Sequence, residues 1–245
     1  MRILNIAAYK FVTLDHLPEL QAAVRDALET RGLKGTVLLA EEGINLFLAG
    51  HALEINDFLT WLQLDERLRD LEVKQSFSST QPFRKLLVKV KAEIIRMNHP
   101  AIQPSAGRAP SVDAATLKRW LDAGHDDAGL PVVTLDTRND FEVDVGTFRN
   151  AIDWRITKFT EFPQVVLDRI HELEGKTVVS FCTGGIRCEK AAIFMREAGV
   201  QNVYQLDGGI LKYFEVSGHH HFEGECFVFD QRRALDPELQ PKVNT

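Results

Sequence analysis

The feature that most constrains the fold is a β-branched run that leads into a glycine-rich turn and then into a helix. The segment 177–181, with the sequence TVVSF, is followed by Cys182, and Gly184 and Gly185 come before a helical pattern begins. Short, continuous apolar runs of this kind are typical of strands buried in parallel sheets. The order of strand, glycine turn and helix therefore predicts an α/β fold with Cys182 at the carboxyl edge of its sheet.

Cys182 is the candidate nucleophile that this turn would activate. Backbone N–H groups of the loop can converge on its sulfur, and the positive end of the next helix and Arg187 add stabilisation of negative charge. The pKa of a free thiol, ~8.5, should fall in such a setting, which favours nucleophilic chemistry. The alternative is a small buried side chain at a strand end, although adjacent glycines suit an anion-binding loop better than they suit packing. The supporting loop residues are Thr183, Gly184, Gly185 and Ile186.

The spacing of Arg187 bears on what the loop can hold. Arg187 lies five positions after Cys182, which is one position closer than the arginine of the cysteine-phosphatase loop. The shorter loop fits a single sulfur substituent better than a tetrahedral phosphate. We therefore predict that Cys182 and Arg187 are catalytic, the alternative for Arg187 being a surface salt bridge.

The other two cysteines receive different interpretations. Cys188 lies six residues after Cys182, where it could resolve an oxidised or persulfidated Cys182 into a disulfide. It could equally serve to pack its helix onto the sheet. Cys226 precedes an apolar, strand-like stretch and is predicted to be buried structure.

The chain divides into two predicted domains. We place them at residues 1–97 and 111–217, with a Pro-rich linker at 98–110 and a C-terminal extension at 218–245. The first domain follows the order βαββαβ of an α+β, ferredoxin-like (acylphosphatase-like) fold. Its predicted elements are strands at 3–12, 71–77 and 86–95, helices at 17–28 and 52–64, and a hairpin at 35–50 that turns near Glu41, Glu42 and Gly43.

The second domain alternates strands and helices, which predicts an open parallel sheet with helices on both faces. We predict that Ser111 caps its first helix, which runs through Leu121. The other predicted elements are strands at 131–136, 177–181 and 203–206 and helices at 162–173 and 188–198.

Composition narrows the classes of function. A net charge of −6 argues against general polyanion binding, and three cysteines in 245 residues are too few for a secreted disulfide framework. The chain shows neither a secretory signal at its start nor an apolar run of the ~18 to 20 residues that a membrane helix needs, so we expect a cytoplasmic protein. His219, His220 and His221 lack the spacing of a zinc site, and we expect no bound metal.

A local basic stretch is the candidate nucleic-acid contact. Residues 1–100 hold 13 basic and 13 acidic residues, yet residues 83–96 hold five basic residues and one acid. Read as a strand, this stretch places Lys85, Lys89 and Lys91 on one face and Leu86, Val88 and Val90 on the other, in the core. The lysines could follow RNA phosphates or form a solvated strand face.

The second domain resembles the rhodanese family, which carries sulfur as a cysteine persulfide. The resemblance covers residues 111–216 and rests on the Cys182 loop with Arg187, on Asp136 and Arg138 after an early strand, and on the turn at 207–209. It implies that Asp136 and Arg138 support the loop through hydrogen bonds.

Three motifs extend the resemblance to nearly the whole chain. They are CTGGIRCEK at 182–190, EGECFVFD at 223–230 and AEEGIN at 40–45, and together they resemble the tRNA uridine-34 hydroxylases. That family implies oxygen-dependent conversion of wobble uridine to 5-hydroxyuridine, with tRNA as partner, molecular oxygen as cosubstrate and no further cofactor evident. Longer members continue into a cysteine-containing tail, which we expect this protein to do without. We expect neither a DNA nor a membrane partner.

Two other functions remain open at this point. A rhodanese-type sulfurtransferase that carries a persulfide would use the same loop. A non-catalytic rhodanese-like binding module is disfavoured by the intact cysteine. The first domain, with its basic stretch, favours the tRNA-modifying hydroxylase over a plain sulfurtransferase.

Overall fold

The computed structural model describes residues 2–241, which form two compact units. The first unit contains the residues up to Arg96 together with Phe229–Arg232. The second contains Met97–Val228 and the residues from Arg233 onward. No helix within residues 2–241 is long and apolar enough to span a membrane.

The first unit is built on one five-stranded sheet, in the order β4-β1-β3-β2-β5. Its elements are β1 (Ile3–Phe11), α1 (Leu17–Thr30), β2 (Lys34–Ala40), β3 (Gly43–Gly50), α2 (Ala52–Leu62), β4 (Val73–Ser78) and β5 (Leu86–Val90). Strands β4, β1, β3 and β2 form an antiparallel sheet, as in a ferredoxin-like fold, and β5 adds a fifth strand at the edge, parallel to β2. The predicted hairpin is confirmed, with Ala40 opposite Gly43.

The predicted alternation of the basic stretch is only partly correct. Lys85, Lys89 and Lys91 are exposed and Val88 is buried, as expected. Val90, however, is 39% exposed and does not belong to the core. Val90 is the last residue of β5, and a strand end is covered by fewer neighbouring side chains than the middle of the strand.

The second unit surrounds a five-stranded sheet in the order β6-β11-β10-β7-β9, and every neighbouring pair is parallel. Its strands are β6 (Ser111–Val112), β7 (Val132–Asp136), β8 (Gly146–Phe148), β9 (Ile152–Asp153), β10 (Thr177–Phe181), β11 (Val203–Leu206), β12 (Phe222–Gly224), β13 (Cys226–Phe227) and β14 (Ala234–Leu235). Its helices are α3 (Ala114–Ala123), α4 (Asp140–Val143), α5 (Phe162–Arg169), α6 (Ile186–Glu197) and α7 (Gly209–Ser217). The predicted parallel sheet is therefore confirmed.

Strand β10 lies at the centre of this sheet and is buried along its whole length. Helices α3 and α7 pack against each other, and α5 packs against α6. Val179 and Phe181 of β10 join the apolar cluster formed with α3 and α7. Residues alternate across a strand, so Val178 and Ser180 face the other helical layer. This double burial explains why β10 reads as a continuous apolar run.

Two local predictions in this unit are corrected. Ser111 does not cap α3: it lies in β6, and the Asp113 side chain accepts the hydrogen bond of the Thr116 N–H at 2.8 Å. Residues 98–110 do not behave as a free linker, because Ile102 and Ala109 are buried in the second unit. Their apolar side chains provide enough packing to order a Pro-rich stretch.

The predicted C-terminal extension divides between the units. Residues Phe229–Arg232 belong to the first unit, where the Arg232 guanidinium donates to Ser76 Oγ at 2.7 Å and the Gln231 N–H donates to the Pro82 carbonyl at 3.2 Å. The Asp230 carboxylate pairs with Arg232, and both side chains are buried to nine-tenths or more. Residues 242–245 lie outside the described part of the chain.

Candidate active site

The turn after β10 folds the chain around the Cys182 sulfur. Gly185 adopts φ 99°, in the left-handed region that favours glycine, and it is the N-cap residue directly before α6. Its N–H donates to Cys182 Sγ at 3.2 Å. A Cβ placed on Gly184 would meet nothing within 4 Å, so the loop faces open space there. Of the amides predicted to enclose the sulfur, that of Gly185 thus donates to it.

These contacts make Cys182 an acidic thiol. Burial by itself raises the pKa of Cys182, because a thiolate loses hydration, but several groups oppose it. A hydrogen bond from Cys188, the positive charge of Arg187 and the N–H groups of Arg187 and Gly185 together lower the pKa to about 6. Thiolate is therefore the dominant form at neutral pH, and thiolate is the nucleophilic form.

Arg187 is held by a partner that we did not predict, Glu142. The guanidinium donates to both Glu142 oxygens, at 2.6 and 2.8 Å. The side chains are 7% and 0% exposed, so this is a buried ion pair and the surface salt bridge considered for Arg187 is excluded. Asn139-x-x-Glu142 fits the pattern of a helix start, so the sequence could have indicated α4. It could not have indicated the contact with Arg187, because that partner lies 45 residues further along the chain.

Asp136 and Arg138 form a second buried pair at the end of β7. Both side chains are 0% exposed, and Arg138 also donates to the carbonyl of Gly146 at 2.6 Å. The residue between them, Thr137, reaches the cysteine strand: its N–H and its hydroxyl both donate to the Phe181 carbonyl at 3.0 Å. Sequence reasoning singled out the charged neighbours and missed Thr137.

The start of α7 holds the cysteine loop from behind. The N–H of Ile210 donates to the Cys182 carbonyl at 3.0 Å, and the N–H of Leu211 donates to that of Thr183 at 3.1 Å. A Cβ on Gly209 would lie 2.5 Å from the Cys182 carbonyl oxygen. Only glycine allows this approach, which gives a physical reason for the glycine turn at 207–209.

The structure brings Cys188 to the nucleophile. Both sulfurs are fully buried and each shifts the pKa of the other, and the Cys188 sulfur lies 3.7 Å from Thr137 Oγ1. Burial and the neighbouring Cys182 thiolate raise the pKa of Cys188 well above that of a free thiol. Cys188 is thus a protonated donor beside an ionised acceptor. Cys226 is also fully buried, and burial raises its pKa to about 12.

The remaining candidates lie elsewhere. Lys85, Lys89 and Lys91 are exposed residues of the first unit, and their contact with RNA stays a prediction. The His221 ring is within 2.7 Å of Asp122 Oδ1, and His220 is within 2.6 Å of the Ser217 carbonyl. Within residues 2–241, no three His, Cys, Asp or Glu side chains are grouped as a metal site.

Comparison with known proteins decides the family. Residues 3–94 match the UPF0176 acylphosphatase like domain, and residues 113–215 match the rhodanese-like domain. A tRNA uridine(34) hydroxylase of Bordetella petrii is 66% identical over 239 residues, which are 98% of this chain and 95% of that protein. The chain belongs to the tRNA uridine(34) hydroxylase family. A second member, from Variovorax paradoxus, is 64% identical over 241 residues, which are 98% of this chain and 92% of that protein.

Membership of the tRNA uridine(34) hydroxylase family confirms the identification made from the three motifs. The matched domains also confirm the pairing of an acylphosphatase-like first domain with a rhodanese-like second domain. In this hydroxylase family member, Cys182 and its loop therefore lie in an α/β rhodanese-like domain.

Proposed function

We propose that this protein hydroxylates wobble uridine 34 of tRNA to 5-hydroxyuridine, with Cys182 as the nucleophile. The observation that carries the proposal is the acidic Cys182 thiol, held by loop amides and Arg187 in a chain that matches tRNA uridine(34) hydroxylases over nearly its full length. The proposal includes tRNA as substrate, molecular oxygen as cosubstrate and a cytoplasmic location. Lys85, Lys89 and Lys91 would contact the RNA backbone.

In the proposed reaction, the Cys182 thiolate adds to C6 of the pyrimidine. The new C–S bond moves an electron pair toward C5, which makes C5 nucleophilic toward oxygen. One atom of O₂ remains on C5 as the hydroxyl group, and the other leaves as water with two electrons and two protons from a thiol reductant. Loss of the C5 proton and departure of the thiolate restore the double bond.

The residues around Cys182 would support both the attack of the thiolate on C6 and its later departure. Arg187 stabilises the thiolate before attack and again when it leaves C6. Asp136 and Arg138 act as supporting residues, since they fix the end of β7 beside β10. Cys188 would resolve a Cys182 persulfide or sulfenate: its sulfur attacks the Cys182 sulfur and forms a disulfide, while the proton of its thiol goes to the departing group, which leaves as hydrogen sulfide or water.

The burial of Cys182 adds a requirement. The residue is 0% exposed, so a base reaches its sulfur only when the groups that cover the loop move. Binding of tRNA should therefore change the rate at which iodoacetamide alkylates Cys182. An unchanged rate at saturating tRNA would contradict the proposed encounter between base and sulfur.

Nucleoside mass spectrometry of tRNA tests the proposed function. Cells that lack the gene would be complemented with the wild type, with Cys182→Ser or, as a control for loss of a buried thiol, with Cys226→Ala. We expect 5-hydroxyuridine derivatives in the wild type and in Cys226→Ala and their absence in Cys182→Ser. Normal levels in cells without the gene, or in Cys182→Ser, would refute the hydroxylase.

A sulfurtransferase is the second candidate, and the enclosed position of Cys182 favours it. A loop that buries the sulfur completely accommodates a single added sulfur atom with less movement than a nucleobase. Mass spectrometry of the intact protein after thiosulfate treatment would detect the added 32 Da (about the mass of one sulfur atom) on Cys182. If Cys182 forms a stable persulfide, and the enzyme without that persulfide still hydroxylates tRNA at the wild-type level, then sulfur transfer and hydroxylation are two separate activities of the protein.

A further inference from the structure

An exposed aromatic ring lies next to the ion pair of the site and has no role in the chemistry above. Phe141 is 44% exposed in α4, whereas the next residue, Glu142, is fully buried and holds Arg187. Single exposed apolar residues are ordinary on protein surfaces. This one is distinguished because two separate sets of contacts tie it to the cysteine loop.

The first connection runs through the backbone of α4. Phe141 and Glu142 are consecutive, and Glu142 reaches Arg187, whose charge acts on Cys182. The buried Glu142 side chain therefore fixes the helix turn that presents Phe141.

The second connection runs through β13. The Phe141 ring makes an edge contact with the ring of Phe227, with centroids 5.2 Å apart and planes at 84°. The carbonyl of Phe227 accepts a hydrogen bond from Thr183 Oγ1 at 3.4 Å. Thr183 directly follows Cys182, so the orientation of the Phe141 ring is set by a residue that is bonded to the loop itself.

The space beside the loop is compatible with a ligand. A Cβ on Gly184 would meet nothing within 4 Å, so the loop has room on that side. Gly184 directly follows Thr183, whose hydroxyl donates to the Phe227 carbonyl, and the Phe227 ring contacts Phe141. The site therefore combines a reactive sulfur, an open glycine and an oriented aromatic ring.

We propose that Phe141 is a stacking platform for an unpaired nucleobase of the RNA on which the Cys182 loop acts. The inference rests on the proposed function. Single-stranded bases bind proteins by stacking on aromatic side chains, and every base offers a π-face. A ring already oriented by a neighbour loses little conformational freedom when a base stacks on it.

The test measures binding of an anticodon stem-loop RNA to full-length variants by fluorescence anisotropy. Phe141→Ala should raise the dissociation constant by about 5- to 150-fold, the range found for loss of one base–aromatic stack. Phe141→Trp should bind at least as tightly as the wild type, and Phe141→Leu should fall between them. Leu167→Ala is the matched control, because Leu167 is a helical residue of the same unit and 53% exposed.

Two further measurements separate stacking from a disturbed cysteine loop and from a phosphate contact. The rate of iodoacetamide alkylation at Cys182 should be the same in Phe141→Ala and wild type, because stacking does not involve the thiolate. The dependence of binding on salt should also be unchanged, because the ring neutralises no phosphate. A Phe141→Ala variant that binds within twofold of wild type, or that alters alkylation, would overturn the inference.

Failure of the inference is distinguishable from failure of the proposed function. If the wild type binds and hydroxylates the RNA and Phe141→Ala does both equally well, the platform is wrong and the hydroxylase stands. If the wild type leaves uridine 34 unmodified in tRNA, the proposed function is wrong, and the inference that rests on it is overturned with it.

Discussion

The buried pair of Glu142 and Arg187 allows a sharp test of how the loop is stabilised. The pair has two hydrogen bonds of 2.6 and 2.8 Å between side chains that are 0% and 7% exposed. Removal of one member leaves the other as an uncompensated buried charge, which costs about 3–5 kcal/mol. Glu142→Gln and Arg187→Gln should each lower the free energy of unfolding by that amount.

The double variant should destabilise the protein by less than the sum of the two single variants. Glu142→Gln/Arg187→Gln leaves two neutral amides that can hydrogen-bond to each other, so neither buried charge remains. We expect a coupling free energy of about 0.5–3 kcal/mol, the range measured for directly contacting residues. Urea unfolding followed by tryptophan fluorescence gives this value, since Trp120 and Trp154 both lie in the second unit.

An exposed ion pair serves as the control, and its acidic member lies two residues after Glu142. Asp144 and Arg155 form an ion pair at 2.7 Å, but their side chains are 62% and 51% exposed. Exposed pairs are screened by water, so Asp144→Asn should leave stability unchanged within error. The argument from burial would be refuted if the losses of unfolding free energy for the Glu142 and Arg187 variants were additive. It would also be refuted if either single variant destabilised the protein as little as Asp144→Asn does.

Three more predictions concern the loop and the RNA. Iodoacetamide should alkylate Cys182 with a midpoint near pH 6, because the thiolate forms above its lowered pKa. Cys188→Ala should raise that midpoint by about one to two pH units, since it removes a hydrogen bond to the thiolate. Equal midpoints in the variant and the wild type would contradict a hydrogen bond between the two sulfurs. Gly209→Ala should lower the melting temperature and slow the alkylation of Cys182, because the new Cβ would lie 2.5 Å from the Cys182 carbonyl oxygen. Gly175→Ala is the control: Gly175 has a similar positive φ, but its Cβ would meet no atom within 4 Å, so this variant should affect only stability. Lys89→Ala should weaken tRNA binding and reduce the slope of log affinity against log salt by about 0.7 to 0.9, the effect of one lost phosphate contact; an unchanged slope would place Lys89 outside the interface.

Local sequence patterns predict the parts of this fold that local chemistry determines. The pattern predicts strand β10 with its observed ends, because a run buried on both faces contains no charged residue and is rich in β-branched ones. The hairpin between β2 and β3 is predictable because glycine and acidic residues mark its turn. Ser111 fits the pattern of a helix cap, yet it lies in β6, and Asp113, which directly precedes α3, forms the cap.

The partners within the site cannot be predicted in the same way, since they depend on tertiary contacts. Cys182, Arg187 and the glycines lie within one short segment, so their pattern is visible in the sequence. Glu142 is separated from Arg187 by 45 positions and belongs to a four-residue helix, too short for a periodic signal. The steric reason for Gly209 likewise becomes visible only when α7 and the loop carbonyls are placed together.

The membership of Phe229–Arg232 in the first unit has a consequence for synthesis of the protein. Domains generally fold as they leave the ribosome, amino-terminal domain first, at about 5–20 residues per second. Here the hydrogen bond between Arg232 and Ser76 cannot form until nearly the whole chain has been translated. The first unit therefore waits on the order of ten seconds or more for its last segment. A nascent chain released at residue 228 would carry a complete catalytic loop beside an unfinished first unit.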